Sequence, residues 1–115
     1  MKYVLLLFGT TQDLQRWEEM TEEARAQQYE QAGRWFAEHR GKIGNSNQLQ
    51  PPHTATSVRF LSDGQPIVTD GPFLEGNEII GGYIEVDVAD LDEALQMAKT
   101  WPGRGTVEVR PIIEH

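Results

Sequence analysis

Ile80-Gly81-Gly82-Tyr83-Ile84-Glu85-Val86-Asp87-Val88, then Asp90-Leu91-Asp92-Glu93-Ala94-Leu95, then Thr106-Val107-Glu108-Val109-Arg110-Pro111, is the stretch that decides the fold. The first nine residues alternate. Ile80, Gly82, Ile84, Val86 and Val88 face one way, and Tyr83, Glu85 and Asp87 the other, which is the period of a strand with one buried face. Asp90 follows as a helix N-cap, with Glu93 at capping-box spacing. Leu91, Ala94, Leu95, Ala98 and Trp101 recur at helical spacing until Pro102-Gly103 ends the run. Thr106 to Ile112 alternates again, with Val107 and Val109 inward, Glu108 and Arg110 outward, and Pro111 marking an end or an edge. The unit is β-α-β.

Working back toward the N-terminus, the same unit appears a second time. Tyr3 to Phe8 is apolar without alternation, as in a strand covered on both faces, and Gly9-Thr10-Thr11 breaks it. A helix is predicted from about Thr21 to Arg40. Thr21 is its N-cap, and Glu22 and Glu23 lie in the first turn, where the helix dipole favours anions. Ala24, Tyr29, Ala32, Trp35, Phe36 and His39 share one face, and Gly41 is placed to end the helix. Lys42-Ile43-Gly44 opens a polar stretch to Gln50 that takes the place of a strand, and Pro51-Pro52 stops it. Ser57 to Leu61, the Asp63-Gly64 turn and Pro66 to Thr69 read as a β-hairpin, peripheral because Pro66 has no N–H for a ladder.

The order β-α-β, hairpin, β-α-β is that of an α+β, ferredoxin-like split βαβ domain with an inserted hairpin. It lays two helices on one face of an antiparallel sheet and leaves the other face to be covered. In 115 residues, read as one domain, a second copy is the expected cover, so a homodimer is predicted.

Composition narrows the chemistry. Ten Lys and Arg against 18 Asp and Glu give a net charge of −8, which argues against nucleic acid and anionic membranes as partners. The absence of cysteine excludes disulfides, thiolate nucleophiles and iron–sulfur clusters. The apolar run at Tyr3 to Phe8 is too short for a signal peptide or a membrane span, so a cytoplasmic location is expected. Neither phosphate-loop pattern occurs, and His39, His53 and His115 lack ligand spacing. No metal and no cofactor is expected.

The most distinctive local sequence is Thr69-Asp70-Gly71-Pro72-Phe73-Leu74-Glu75. Gly71 gives backbone freedom, Pro72 fixes φ, and Asp70 sits on a stiffened turn. Asp70 reads either as an Asx-turn cap or as a positioned general acid or base. His53 follows two prolines in a polar loop; it is a surface residue or a proton shuttle. Arg59 and Arg110 alternate with apolar residues, as exposed or paired strand positions or as clamps for an anion. Glu75 and Glu78 are solvated turn residues or assistants in acid–base work. Gly81-Gly82 inside a strand signals a bulge or a close backbone approach that lines a cleft. Trp17, Trp35, Trp101 and Tyr83 read as core or interface side chains.

Asp70-Gly71-Pro72-Phe73 resembles the signature of the DGPF branch of the YCII-related family, and the resemblance runs along nearly the whole chain. Met1 to Leu6 looks like the family's first strand. Leu49-Gln50-Pro51-Pro52 with Thr54 to Arg59 looks like its middle section. Gly81-Gly82-Tyr83, Asp90 to Ala94 and Val107 to Pro111 match its C-terminal half in order and spacing. The resemblance implies a dimeric α+β barrel with a cleft near the turn. It also implies a His–Asp pair there, whose Asp corresponds to Asp70. Where the family's histidine lies, this chain has Gln48, Leu49 and Gln50, and His53 stands nearby as a substitute. On that basis a cofactor-free acid–base enzyme, lyase- or isomerase-like, is expected, acting on a small organic or anionic compound. Asp70 and His53 would be catalytic, and Arg59, Arg110, Phe73 and Gly82 would touch the substrate. The alternative is a non-catalytic small-molecule-binding or protein-interaction module. Some relatives occur beside sigma-factor genes, which implies an accessory role in transcriptional control.

Overall fold

Residues 1–73 and 76–115 are described by the computed structural model. Its central strand is the apolar run read first from the N-terminus, β1 (Lys2–Thr10). It pairs antiparallel with β5 (Glu78–Asp87) on one side and with β6 (Thr106–Pro111) on the other. With β2 (Ile43–Gln48) beyond β5, the sheet order is β2-β5-β1-β6. Counting only these four strands, the sheet is a ferredoxin-like one, and the chain is α+β as expected.

Tyr3 and Leu5 of β1 lie opposite Val86 and Ile84 of β5, and all four are buried. Val107 and Val109 of β6 stand opposite Leu7 and Leu5 on the same face. Trp35 of α2 (Glu22–Glu38) and Ala94 and Met97 of α3 (Leu91–Lys99) complete the core against it. The Trp35 indole N–H donates to the Met97 carbonyl at 3.0 Å and to the Thr100 hydroxyl at 3.1 Å, so this buried polar group has its partners. Every core residue the sheet supplies comes from that one face. On the other face Val4, Leu6 and Phe8 are only half-buried.

The alternation read for β5 holds from Gly82 onward and fails at Ile80. Leu7 pairs with Gly82 but Phe8 pairs with Ile80, so Gly81 is an extra residue on β5. One bulged residue inverts the phase of everything before it. Ile80 therefore joins Phe8 on the open face, 47% exposed, and not the core face with Gly82.

The segment after Gly9-Thr10-Thr11, which has no clear period in the sequence, forms α1 (Thr11–Glu19). The Thr10 hydroxyl accepts from the Asp13 N–H at 3.1 Å, and the Asp13 carboxylate accepts from the Thr10 N–H at 2.9 Å. This is a capping box with Asp in place of the usual Glu or Gln. The residues that end the strand thus start the helix. Arg25 donates to the Trp17 carbonyl at 3.0 Å and ties the end of α1 to α2.

β3 (Thr56–Phe60) and β4 (Pro66–Asp70) form a separate two-stranded sheet, the peripheral hairpin read from the sequence. It stands off the body as an arm. The radius of gyration is 16.2 Å, where a compact chain of this length has about 13 Å.

Candidate functional site

Between α2 and the core face of the sheet lies a cleft of about 430 Å³. Its floor is set by strand register. Ser46 pairs with Ile84 and Gln48 with Gly82, which puts Ser46 and Gln48 on the cleft side of β2. A Cβ at Gly82 would lie 2.8 Å from the Asn47 carbonyl oxygen, so the floor admits only glycine there. The Gly81-Gly82 signal thus resolves into both of its readings, Gly81 the bulge and Gly82 the close approach.

The walls are aromatic. Trp17 of α1 meets Tyr29 of α2 edge to face, with centroids 5.3 Å apart, and Tyr29 donates its hydroxyl to the Gln48 side-chain carbonyl at 3.1 Å. At the other end Trp101 stands edge-on to Trp35 at 5.0 Å and to Phe36 at 6.0 Å. The Pro102-Gly103-Arg104-Gly105 loop folds under that indole. A Cβ at Gly103 would collide with the Trp101 indole nitrogen, and one at Gly105, whose φ is +96°, with the Phe8 carbonyl. The two glycines therefore let the loop close around Arg104 and present it at the cleft.

Apart from Arg104, the described lining is uncharged. Its neutral hydrogen-bonding residues are Gln28, Gln31, Asn47 and Gln48 with their primary amides, and Tyr29, Ser46 and Tyr83 with their hydroxyls. No carboxylate and no imidazole belongs to it among the described residues. A smaller hollow of about 160 Å³ shares Trp17, Gln48 and Gly81 with the cleft and extends it to Pro51 and Pro52, at the root of the arm. Near the Arg104 end, Asp13 is held below its ordinary carboxylate range. The Thr10 backbone N–H is the main cause, with the Thr10 hydroxyl and the positive charges of Arg16 and Arg104 adding to it.

Of the residues singled out in the sequence, Gly82 lines this cleft. The others lie elsewhere. Asp70 ends β4 opposite Thr56 and is exposed. Its turn is fixed by the Gly71 N–H donating to the Ala55 carbonyl at 2.7 Å and by the Ser57 hydroxyl donating to the Gly71 carbonyl at 2.7 Å. Gly71 has a φ of +98°, a value that favours glycine. His53 lies in a 3-10 turn, Pro52–Thr54, at the same root of the arm and is exposed. Among the described residues no hydrogen bond or ion pair joins it to Asp70. Phe73 is 67% exposed. Arg59 lies on the arm opposite Ile67. Arg110 lies on the open face opposite Val4, 3.9 Å from Glu108. Glu78 pairs with Thr10 at the start of β5, and Glu75 falls outside the described residues. No group of three His, Cys, Asp or Glu able to hold a metal occurs among the described residues.

Trp17, Gln48 and Arg104 were not singled out as ligand contacts. Arg104 carried one usable signal, a lone arginine between two glycines directly after the helix stop. The reach of Trp17 and Gln48 into one cleft depends on the placement of α1 and on the β2 register, neither of which is local in sequence.

Comparison with known proteins agrees with this architecture. The YCII-related domain family matches residues 1–115. An uncharacterised protein of Rhizobium meliloti (strain 1021) is 34% identical over 116 residues, which cover 97% of this chain and 92% of that protein. The chain belongs to the YCII-related domain family.

Proposed function

Taking that membership as premise, we propose that this protein binds a small organic molecule in the cleft between α2 and the sheet. The apolar part of the ligand packs against Trp17, Tyr29 and Trp101, and its polar or anionic end meets Arg104. The observation that carries this reading is the cleft itself. Its volume of about 430 Å³ falls in the range of small-molecule sites, and a mainly apolar wall with a few polar groups is their usual composition. A net charge of −8 repels anions at long range, so an anionic end needs a local cation, and Arg104 is the one charged side chain among the described lining. The lining favours holding a ligand over moving its protons.

The test is a thermal-shift screen of small aromatic acids against their neutral amides. A true ligand at about a hundred times its Kd should raise Tm by roughly 10 °C. Ala32→Trp, which fills the cleft, should abolish the shift, and Arg104→Gln should remove the preference for acids. A ligand whose shift survives Ala32→Trp would place binding elsewhere and end this reading.

A second reading rests on the root of the arm, where Asp70, on a turn fixed by Gly71, and His53, in the 3-10 turn Pro52–Thr54, are both open to solvent. There Asp70 would act as general base or acid with His53 as proton shuttle, and Arg59 and Phe73 would meet the substrate, while Arg110 stays on the open sheet face opposite Val4. Asp70→Asn should then lower turnover of an identified substrate by at least about 100-fold. Unchanged turnover would leave binding alone.

For the assembly, we propose a homodimer formed through the open sheet face. Val4, Leu6, Phe8 and Ile80 are its apolar centre, and no described core residue covers them from within the chain. The Asp70-Gly71-Pro72-Phe73 turn supports placement on the DGPF branch of the family.

A further inference from the structure

The arm has one apolar face and one polar face. Val58 lies opposite Val68 and Phe60 opposite Pro66, and these four side chains share one side toward the tip of the arm, with Thr56 and Asp70 on the same side at its root. Ser57 with Thr69, and Arg59 with Ile67, take the other. The apolar side is uncovered, with Phe60 71%, Val68 65% and Val58 53% exposed. A lone two-stranded hairpin is marginally stable in water, so this one needs a surface to pack on.

The area of the molecule says how much surface is waiting to be covered. The chain exposes 8606 Å², whereas a compact monomer of 13.0 kDa exposes about 6,300 Å². The difference, about 2,300 Å² per chain, suits the interface of an obligate homodimer, which buries roughly 2,000–5,000 Å² in total. The open sheet face does not account for it alone. Four strands about 4.8 Å apart and six residues long span only about 400 Å² in plan. The exposed apolar side chains of the arm add to it.

We propose that the arm clasps a second copy of this chain, with Val58, Phe60, Pro66 and Val68 buried against the partner, so that two reciprocal arms lock the dimer. This rests on the homodimer proposed above. A second copy is the occupant that the excess area suits, and charge restricts where it can sit. Each chain carries −8, so two copies repel wherever charged surfaces meet and associate best through uncharged ones. Two-fold symmetry also means that one contact, once formed, is made twice.

The chain has no cysteine, so Ser62→Cys at the tip of the arm places a single benzophenone photocrosslinker. Sedimentation of the full chain from nanomolar to micromolar concentration is compared with that of Val58→Ser/Phe60→Ser. The expected result is a wild-type dimer, a crosslinked band at twice the chain mass, and a double variant that dimerises at least about 100-fold more weakly, since two buried apolar side chains are lost. A wild-type dimer without the double-mass band, or with an unchanged double variant, would overturn the clasp and leave the sheet-face dimer standing. A wild-type monomer would overturn both. A crosslink to a different protein when the chain is mixed with a cell lysate, without the self-crosslink, would also overturn the clasp. If the double variant fails to fold, the crosslink decides alone.

Discussion

Asp13 shows how one side chain can join two elements. It closes the capping box of α1 and takes the Thr10 N–H at the point where β1 stops. Its carboxyl is held below the ordinary value of 3.8 in the folded chain, chiefly by that N–H. A depressed folded value means that the ionised form is favoured by folding. Its contribution to stability is therefore present above the unfolded value and is lost as pH falls through the folded one. Urea unfolding of the wild type and Asp13→Ala should differ by a constant amount at pH 5 to 8, and the gap should shrink below about pH 4. A gap that stayed constant down to pH 2.5 would remove the carboxylate from the account. Residues of the cleft differ in how much of their role their sequence neighbours reveal. Gly82 was legible because a glycine inside a strand has few reasons to be there. Arg104 was less so: its two flanking glycines are visible, but the fold of its loop beneath Trp101 and against Phe8 is not local in sequence.

At the scale of elements, α3, β6 and β5 from Gly82 onward are legible for a reason in common: each has a clean period and marked ends. Asp90 accepts from the Glu93 N–H at 2.9 Å, as its spacing predicts. The Glu93 carboxylate instead pairs with Lys42 at 2.9 Å, linking α3 to the entry of β2. The two residues should therefore differ in weight. Asp90→Ala removes an N-cap and should cost about 1 kcal/mol, whereas Glu93→Gln loses a partly exposed ion pair and should cost less than about 1 kcal/mol. Denaturant midpoints read at equal slope check the order, and a larger loss from Glu93→Gln would make the Lys42 link the more important contact. The elements that were harder to read failed for physical reasons. α1 follows a strand with no intervening loop, so the Thr10 that ends one element also begins the next. Ile80 was assigned to the wrong face because a single bulged glycine reverses the strand's period. β2, Ile43 to Gln48, has no apolar alternation at all. It is a strand by virtue of its partner β5, and only the order of its neighbours pointed to it.

The whole molecule returns to its net charge. At −8 per chain, two copies brought together face a like-charge repulsion that acts over a Debye length, about 30 Å at 0.01 M salt and about 10 Å at 0.1 M. The surfaces proposed to meet are apolar at their centres: Val4, Leu6, Phe8 and Ile80 on the sheet, and Val58, Phe60 and Val68 on the arm. Around the sheet patch lie Glu85 and Glu108 with Arg110. The two kinds of contact respond to salt in opposite directions. Screening weakens repulsion between the acidic bodies and leaves apolar burial in place, while it would loosen any ion pairs formed by Arg110 or Arg59 across the interface. Dimerisation should accordingly tighten several-fold between about 0.02 M and 0.3 M sodium chloride, read by sedimentation at fixed pH. Both salts are chosen below the range where exclusion effects on apolar surface dominate, so the change reports charge. A dimer that weakened over that interval would be held by ion pairs, and the role assigned to the apolar faces of the sheet and the arm would pass to the arginines beside them.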